Sequence, residues 1–290
     1  MCESFVTIHP KTLINGIVKP SQEAFISVDE RGFRFGDGLF ETIPVHARIP
    51  YLWGYHMERL TAGLKALRID CDATHLQPQA LRLLEQNNIT EGVLRISISR
   101  GIGSRGYLPF PATLAPTIIM QTLNRPALPK EATKLWLSAY EKISPRAMPT
   151  DCKLAQGVNA ALARMEAVDH GCHEALQCSA QGHIAEASSA NIFWLEEGIL
   201  YTAALASGAL AGVTRRRLME LSPYPVKEGL FTLDNLQKAE AVILTNAAMG
   251  ILAVESLAPH GFTWTSTALA TELNALRNAD ILNSLLQAKP

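Results

Sequence analysis

Glu174-Ala175-Leu176-Gln177-Cys178, then His183-Ile184-Ala185-Glu186-Ala187, then Asn191-Ile192-Phe193-Trp194-Leu195, then Ile199-Leu200-Tyr201-Thr202: four short apolar runs follow one another with no helix between them. Each has the length of a strand, and Gln181-Gly182 and Glu197-Gly198 supply turns. A doubly wound parallel sheet needs a crossover helix between successive strands, and this stretch has no room for one. Strands and helices are intermixed elsewhere too, so the chain reads as α+β, a mixed α/β protein.

Upstream of this block, Lys153 precedes a helix carrying Val158, Leu162, Met165 and Val168, closed by Gly171. Lys134 to Tyr140 reads as a strand. Further back, Pro111, Pro116, Pro126 and Pro129 punctuate the chain and Asn124-Arg125-Pro126 interrupts the strand-like run Thr117 to Met120. A linker is therefore expected over 121–133, between an N-terminal domain at 1–120 and a larger domain at 134–290. In the first domain Asn15-Gly16 sits between Thr12-Leu13-Ile14 and Ile17-Val18. That is a two-residue type I′ hairpin signal, because both turn positions tolerate positive φ. Met57, Leu60, Leu64 and Leu67 give a helix its apolar stripe. A second helix is expected over Pro78 to Gln86, and a strand from Val93 to Ser99. Downstream, a helix starts near Val213, Thr232 N-caps another, Ala241 to Asn246 is a buried strand, and a helix from Thr267 to Gln287 ends the chain.

The 290 residues include 26 basic and 27 acidic side chains, for a formal net charge of -1. Neither sign has an excess from which to build a nucleic-acid surface or a polybasic membrane patch. No segment reaches the roughly 20 apolar residues of a membrane helix, and Met1-Cys2-Glu3-Ser4-Phe5 does not read as a secretory signal. Five cysteines without a C-x-x-C pair argue against a disulfide framework or a zinc site. A cytoplasmic enzyme acting on a small molecule is the expectation, with no metal. Cys152 reads as a packing thiol.

A phosphorylated aldehyde cofactor needs a lysine for its carbonyl carbon, an anion for its ring nitrogen, and N–H donors with an arginine for its phosphate. Lys153 lies at a loop-to-helix junction in a nearly uncharged stretch, where desolvation favours a nucleophilic amine. Glu186, among alanines and aromatic strand residues, needs a cationic or hydrogen-bonding partner. Gly212-Val213-Thr214 opens a helix, where free N–H groups favour an anion. Thr245-Asn246-Ala247 follows a buried strand with small residues. Arg59 offers a planar fork. A capped helix, a strand-ending turn and a solvated arginine are the plain alternatives for these three. The loop Ser99-Arg100-Gly101-Ile102-Gly103-Ser104-Arg105-Gly106-Tyr107 offers Arg105 and Tyr107 to a substrate carboxylate. It is not a dinucleotide fingerprint, since no helix follows its glycines.

The order of these pieces resembles the class IV aminotransferase-like, fold-type IV proteins. The resemblance rests on the Asn15-Gly16 hairpin, Phe35-Gly36-Asp37-Gly38-Leu39-Phe40-Glu41-Thr42, His56-x-x-Arg59-Leu60, Lys153 and Glu174-Ala175-Leu176. It continues through Glu186-x-x-Ser189-x-Asn191, Gly212-Val213-Thr214-Arg215 and Thr245-Asn246-Ala247. It implies a pyridoxal 5'-phosphate enzyme of two domains, a homodimer with its site in the interdomain cleft. By the same resemblance Lys153 carries the cofactor and moves the proton, and Glu186 pairs with the ring nitrogen. Arg59, Gly212, Val213, Thr214, Thr245, Asn246 and Ala247 hold the phosphate. Within the family the Arg105 loop looks most like that of the aminodeoxychorismate lyase branch. The other branches act on D-amino acids or branched-chain amino acids by transamination.

Overall fold

The computed structural model describes residues 9–103, 105–109 and 115–287. Cys2 and the rest of the Met1–Phe5 stretch, Ser104 and Pro111 lie outside them. The chain divides into two compact units. One holds Met1–Ala127, Cys152–Gln156 and Asn283–Pro290; the other holds Leu128–Asp151 and Gly157–Leu282.

In the first unit β1 (Lys11–Ile14) and β2 (Ile17–Pro20) form the expected hairpin, with Asn15 and Gly16 both at positive φ. There follow α1 (Arg31–Phe35), β3 (Gly38–His46), β4 (Ile49–Pro50), α2 (Trp53–Ala66), α3 (Leu76–Gln86), β5 (Gly92–Ser99) and β6 (Thr117–Leu123). Antiparallel pairing gives a six-stranded sheet in the order β2-β1-β6-β5-β3-β4. Side chains alternate across a strand. Ile43 of β3 and Leu94, Ile96 and Ile98 of β5 therefore meet Leu60 and Leu64 of α2 and Leu83 and Leu84 of α3 in one buried cluster. The opposite face takes the residues in between, and the register sets Phe40 across from Ser97 and Thr42 across from Arg95.

The second unit contains β7 (Thr133–Leu137), α4 (Val158–Asp169), β8 (Glu174–Cys178), β9 (Ile184–Ala187), β10 (Asn191–Glu196) and β11 (Ile199–Ala203). After them come α5 (Val213–Leu221), β12 (Val226–Gly229), α6 (Leu233–Gln237), β13 (Ala241–Asn246), β14 (Gly250–Ala258), β15 (Phe262–Thr263) and α7 (Thr267–Gln287). The sheet runs β12-β11-β10-β13-β14-β7-β8-β9, with β15 beside β14. Edge strand β9 and inner strand β10 are joined by only Ser188-Ser189-Ala190, so the sheet must curl to bring them together. One of its faces buries Ile192, Trp194, Val242 and Leu244. The other buries Phe193 and Ile243 under Leu218 of α5 and Leu269 and Leu273 of α7. Thr232 caps α6 through a reciprocal box with Asn235, as its residue type predicts.

Several features differ from the sequence reading, among them β6, which runs past Met120 to Leu123. The nine-residue strand β14 was not anticipated: its buried positions are irregularly spaced, and Glu255 and Ser256 interrupt its apolar run. The strand expected from Lys134 to Tyr140 ends at Leu137. In α4 the buried residues are Ala163 and Ala167, packed near Ala175 and Trp136, while Val158, Leu162, Met165 and Val168 face outward. The strongest apolar stripe on that helix is not the face it buries in this chain.

Candidate active site

In the first unit the segment carrying Lys153 is stitched to the start of β3. Phe40 N–H donates to Lys153 O at 2.9 Å, Ala155 N–H donates to Gly38 O at 2.9 Å, and Leu39 bridges Leu154. Gly63 of α2 permits this approach, since a Cβ there would lie 2.8 Å from both Cys152 Cβ and a Leu39 methyl. Cys152 is buried, in keeping with a packing role. Lys153 Nζ lies 4.7 Å from the centre of the Phe40 ring, and Arg95 Cζ lies 4.2 Å from the same centre. Arg95 is half-buried, its guanidinium pKa lowered by that burial, and no carboxylate pairs with it among the described residues.

Beside these, Glu41 of β3 is 1% exposed and bound by three donors. His56 Nδ1–H donates to Oε2 at 2.7 Å, Arg59 Nε to Oε1 at 2.8 Å and Arg59 Nη2 to Oε2 at 2.6 Å. Burial alone would push the Glu41 carboxyl up. The bonds from His56 and Arg59 and the charge attraction outweigh it and hold the pKa at about 2. His56 moves down, chiefly because it is buried; Glu41 pulls it up, while the charges of Arg59 and Lys153 add to the fall. A neutral imidazole with its proton on Nδ1 satisfies the geometry. Glu41 thus fixes two N–H groups of the Arg59 fork, which the sequence offered for a phosphate.

The loop residues Arg105 and Tyr107 are exposed, and the Tyr107 ring lies 5.6 Å from that of Phe35. Arg105 has no ion-pair partner among the described residues.

In the second unit Glu186 sits on β9, 6% exposed. Lys142 Nζ reaches Oε1 at 2.5 Å, while Oε2 accepts from Asn191 Nδ2 at 2.9 Å and from Leu210 N–H at 3.0 Å. The partner that burial demanded is therefore a lysine and two neutral donors. Asn191 also donates to Leu210 O at 2.9 Å, tying the strand to the turn before α5. Gly212 caps that helix; a Cβ there would meet Asn191 Oδ1 at 1.9 Å, so only glycine fits. Val213 and Thr214 are the first residues of α5, both buried. Arg215 instead bonds Ala203 O and Glu228.

Thr245 ends β13 opposite Asn191, 1% exposed, and its Oγ1 has no hydrogen-bond partner among the described residues. A buried hydroxyl left so is costly unless a ligand completes it, and an anion is a suitable acceptor. Asn246 bonds Ser189 O at 3.3 Å and Met249 N–H at 2.8 Å, with Ala247 in the turn between. The Ser188-Ser189-Ala190 turn is braced by Glu174, which accepts from both serine hydroxyls and pairs with Arg164 at 2.7 Å.

Sequence reasoning missed Lys142 and Arg95. Arg95 carried a usable signal: it is the charged residue on the face opposite Leu94, Ile96 and Ile98. Lys142, in an unpatterned loop, carried none. His183, expected as a surface strand residue, lies just before β9 and is half-buried. The groups fit what pyridoxal phosphate needs: the first unit offers an amine at Lys153, and the second offers a carboxylate held by Lys142 and two neutral donors, a helix start and an unsatisfied hydroxyl.

The model of the family described as amino-transferase class IV matches residues 38–257. An aminodeoxychorismate lyase of Bacillus subtilis is 26% identical over 281 residues, covering 94% of this chain and 95% of that protein. A D-alanine aminotransferase of Staphylococcus epidermidis is 27% identical over 252 residues, covering 85% and 89%. The crystal structure of 4-amino-4-deoxychorismate lyase from Pseudomonas aeruginosa superposes with a TM-score of 0.81 at 29% identity, covering 92% of this chain and 98% of that one.

Proposed function

The chain belongs to the class IV aminotransferases, a family of pyridoxal-phosphate enzymes, and on that premise we propose that it is a 4-amino-4-deoxychorismate lyase, releasing 4-aminobenzoate and pyruvate. The observation that carries this reading is the pair Arg95 and Arg105, two guanidinium groups with no carboxylate partner among the described residues. The substrate of such a lyase is a dicarboxylate, and a guanidinium fork binds a carboxylate in two places at once. Tyr107 adds a phenolic donor.

Lys153 would hold the cofactor through its aldehyde carbon, and its amine would serve as the base that takes the proton from the substrate ring carbon bearing nitrogen. Bound pyridoxal phosphate supplies an electron sink conjugated to that carbon. Glu186 would pair with the cofactor's ring nitrogen. Arg59, the N–H groups of Val213 and Thr214 after Gly212, the hydroxyl of Thr245 and the turn at Asn246 and Ala247 would hold the phosphate. As the carbon–oxygen bond to the enolpyruvyl group breaks, Arg95 and Arg105 keep the two carboxylates in place. The leaving group takes up a proton to become pyruvate, and the ring becomes aromatic. Exposed apolar residues such as Phe25 and Met165 support a homodimer.

Transamination of D-amino acids or branched-chain amino acids is the second reading, favoured by the similarity to D-alanine aminotransferase. The purified enzyme is offered aminodeoxychorismate in one reaction, and amino donors with 2-oxo acids in another. Formation of 4-aminobenzoate with slow transamination is the expected result. Rapid transamination with no aminobenzoate overturns the lyase reading.

A further inference from the structure

We propose that Arg31 is a positioning residue that clamps the Arg105 loop and so sets the strength of substrate binding. Arg31 opens α1 and is 3% exposed, although its charge would ordinarily keep it in water. Its guanidinium uses three separate donors. Nε donates to Asp37 Oδ2 at 2.8 Å, Nη1 to Gly106 O at 3.0 Å and Nη2 to Tyr107 O at 2.9 Å. Its backbone N–H donates to Gly101 O at 3.0 Å, and Glu30 bridges Ile102. One residue thus grips the loop at both of its ends.

Beyond these bonds, Gly103 N–H donates to Asp29 O at 3.4 Å. Arg105, Gly106, Tyr107 and Leu108 are all exposed, and the Tyr107 ring lies 5.6 Å from that of Phe35. Gly106 takes φ +91, a left-handed conformation open to glycine, which turns two successive carbonyls toward the same fork. Only a planar guanidinium places parallel donors on both carbonyls while a third N–H stays on Asp37.

Asp37 is fixed independently. Arg100 donates to it through Nε at 2.8 Å and Nη2 at 2.9 Å, and the same arginine caps the end of α2 at Leu67 O and Arg68 O. Replacing Arg31 therefore leaves Asp37 paired, and the loss falls on the loop. Arg31 touches no residue assigned to the cofactor. Its effect on turnover rests on the reading of Arg105 as a carboxylate-binding residue, whereas the clamp itself does not.

The test compares Arg31→Gln and Arg31→Lys holoenzymes with wild type and with Arg105→Gln. Trypsin cleaves after Arg105, and mass spectrometry reads nicking at Arg105–Gly106 relative to other arginine sites. Cleavage of a folded protein follows the population of the opened segment. Loss of two charge-assisted bonds should raise nicking about tenfold in both Arg31 variants. KM for aminodeoxychorismate should rise about tenfold as well, with kcat and the bound-cofactor spectrum unchanged. Arg31→Lys keeps a cation at Asp37, so it remains informative where Arg31→Gln folds poorly. Unchanged nicking in either folded variant, or rescue by lysine, overturns the clamp. A KM raised by Arg105→Gln but not by the Arg31 variants overturns its role in binding. Faster nicking in the two Arg31 variants, together with a KM that none of the three substitutions changes, leaves the clamp standing and removes the carboxylate role of Arg105.

Discussion

Glu41 shows how one buried carboxylate organises a neighbourhood. It takes donors from His56 and Arg59 and sits on the same strand as Phe40, whose ring both Lys153 and Arg95 approach. Its folded-state pKa of about 2 lies below its ordinary value of 4.5. The stabilisation from ionised Glu41 is therefore fully present above pH 4.5 and is lost as the pH falls toward 2, amounting to on the order of 3 kcal/mol. Denaturant melts between pH 5 and 2 should show that slope, and Glu41→Gln should flatten it while lowering stability at neutral pH by about 3 kcal/mol. An unchanged slope in the variant would refute this assignment. At this scale the sequence offered Lys153 and Glu186 as candidates through the order of the motifs around them rather than through their surroundings alone. It was silent on Lys142, because that residue meets Glu186 only where its loop bonds Cys178 of β8 beside β9, a pairing that leaves no local pattern.

Elements were legible where turn chemistry was explicit. Asn15-Gly16, Gln181-Gly182 and Glu197-Gly198 mark hairpins because each glycine takes positive φ, and the strands beside them fell where expected. Strand β14 was hidden because Glu255 and Ser256 break its apolar run, and α4 misled because an apolar stripe says that a face will be covered without saying by what. The link between β10 and α5 makes a sharper statement. Gly212 has φ −63, an ordinary value, so its requirement is steric: a methyl would collide with Asn191. Gly212→Ala should displace the asparagine that holds Glu186, destabilising the fold by about 1–3 kcal/mol. It should also weaken cofactor binding about tenfold, as read by fluorescence titration. Wild-type affinity in that variant would show that the asparagine contact is dispensable.

For the whole molecule, exposed Phe25, Val28 and Phe33 in one unit and Val158, Met165 and Val168 in the other are more large apolar side chains than solvent favours. Sedimentation equilibrium should find twice the chain mass at micromolar concentration, and a single-chain mass would refute the homodimer. The Cys152–Gln156 segment presents the Lys153 amine beside β3, and cofactor attachment there is what the proposed chemistry requires. Reduction of the holoenzyme with borohydride, followed by proteolysis and peptide mass mapping, should find one phosphopyridoxyl group, on the peptide containing Lys153, and none in Lys153→Ala. A label on Lys142 or another lysine, or no label in a protein that has bound the cofactor, would contradict it.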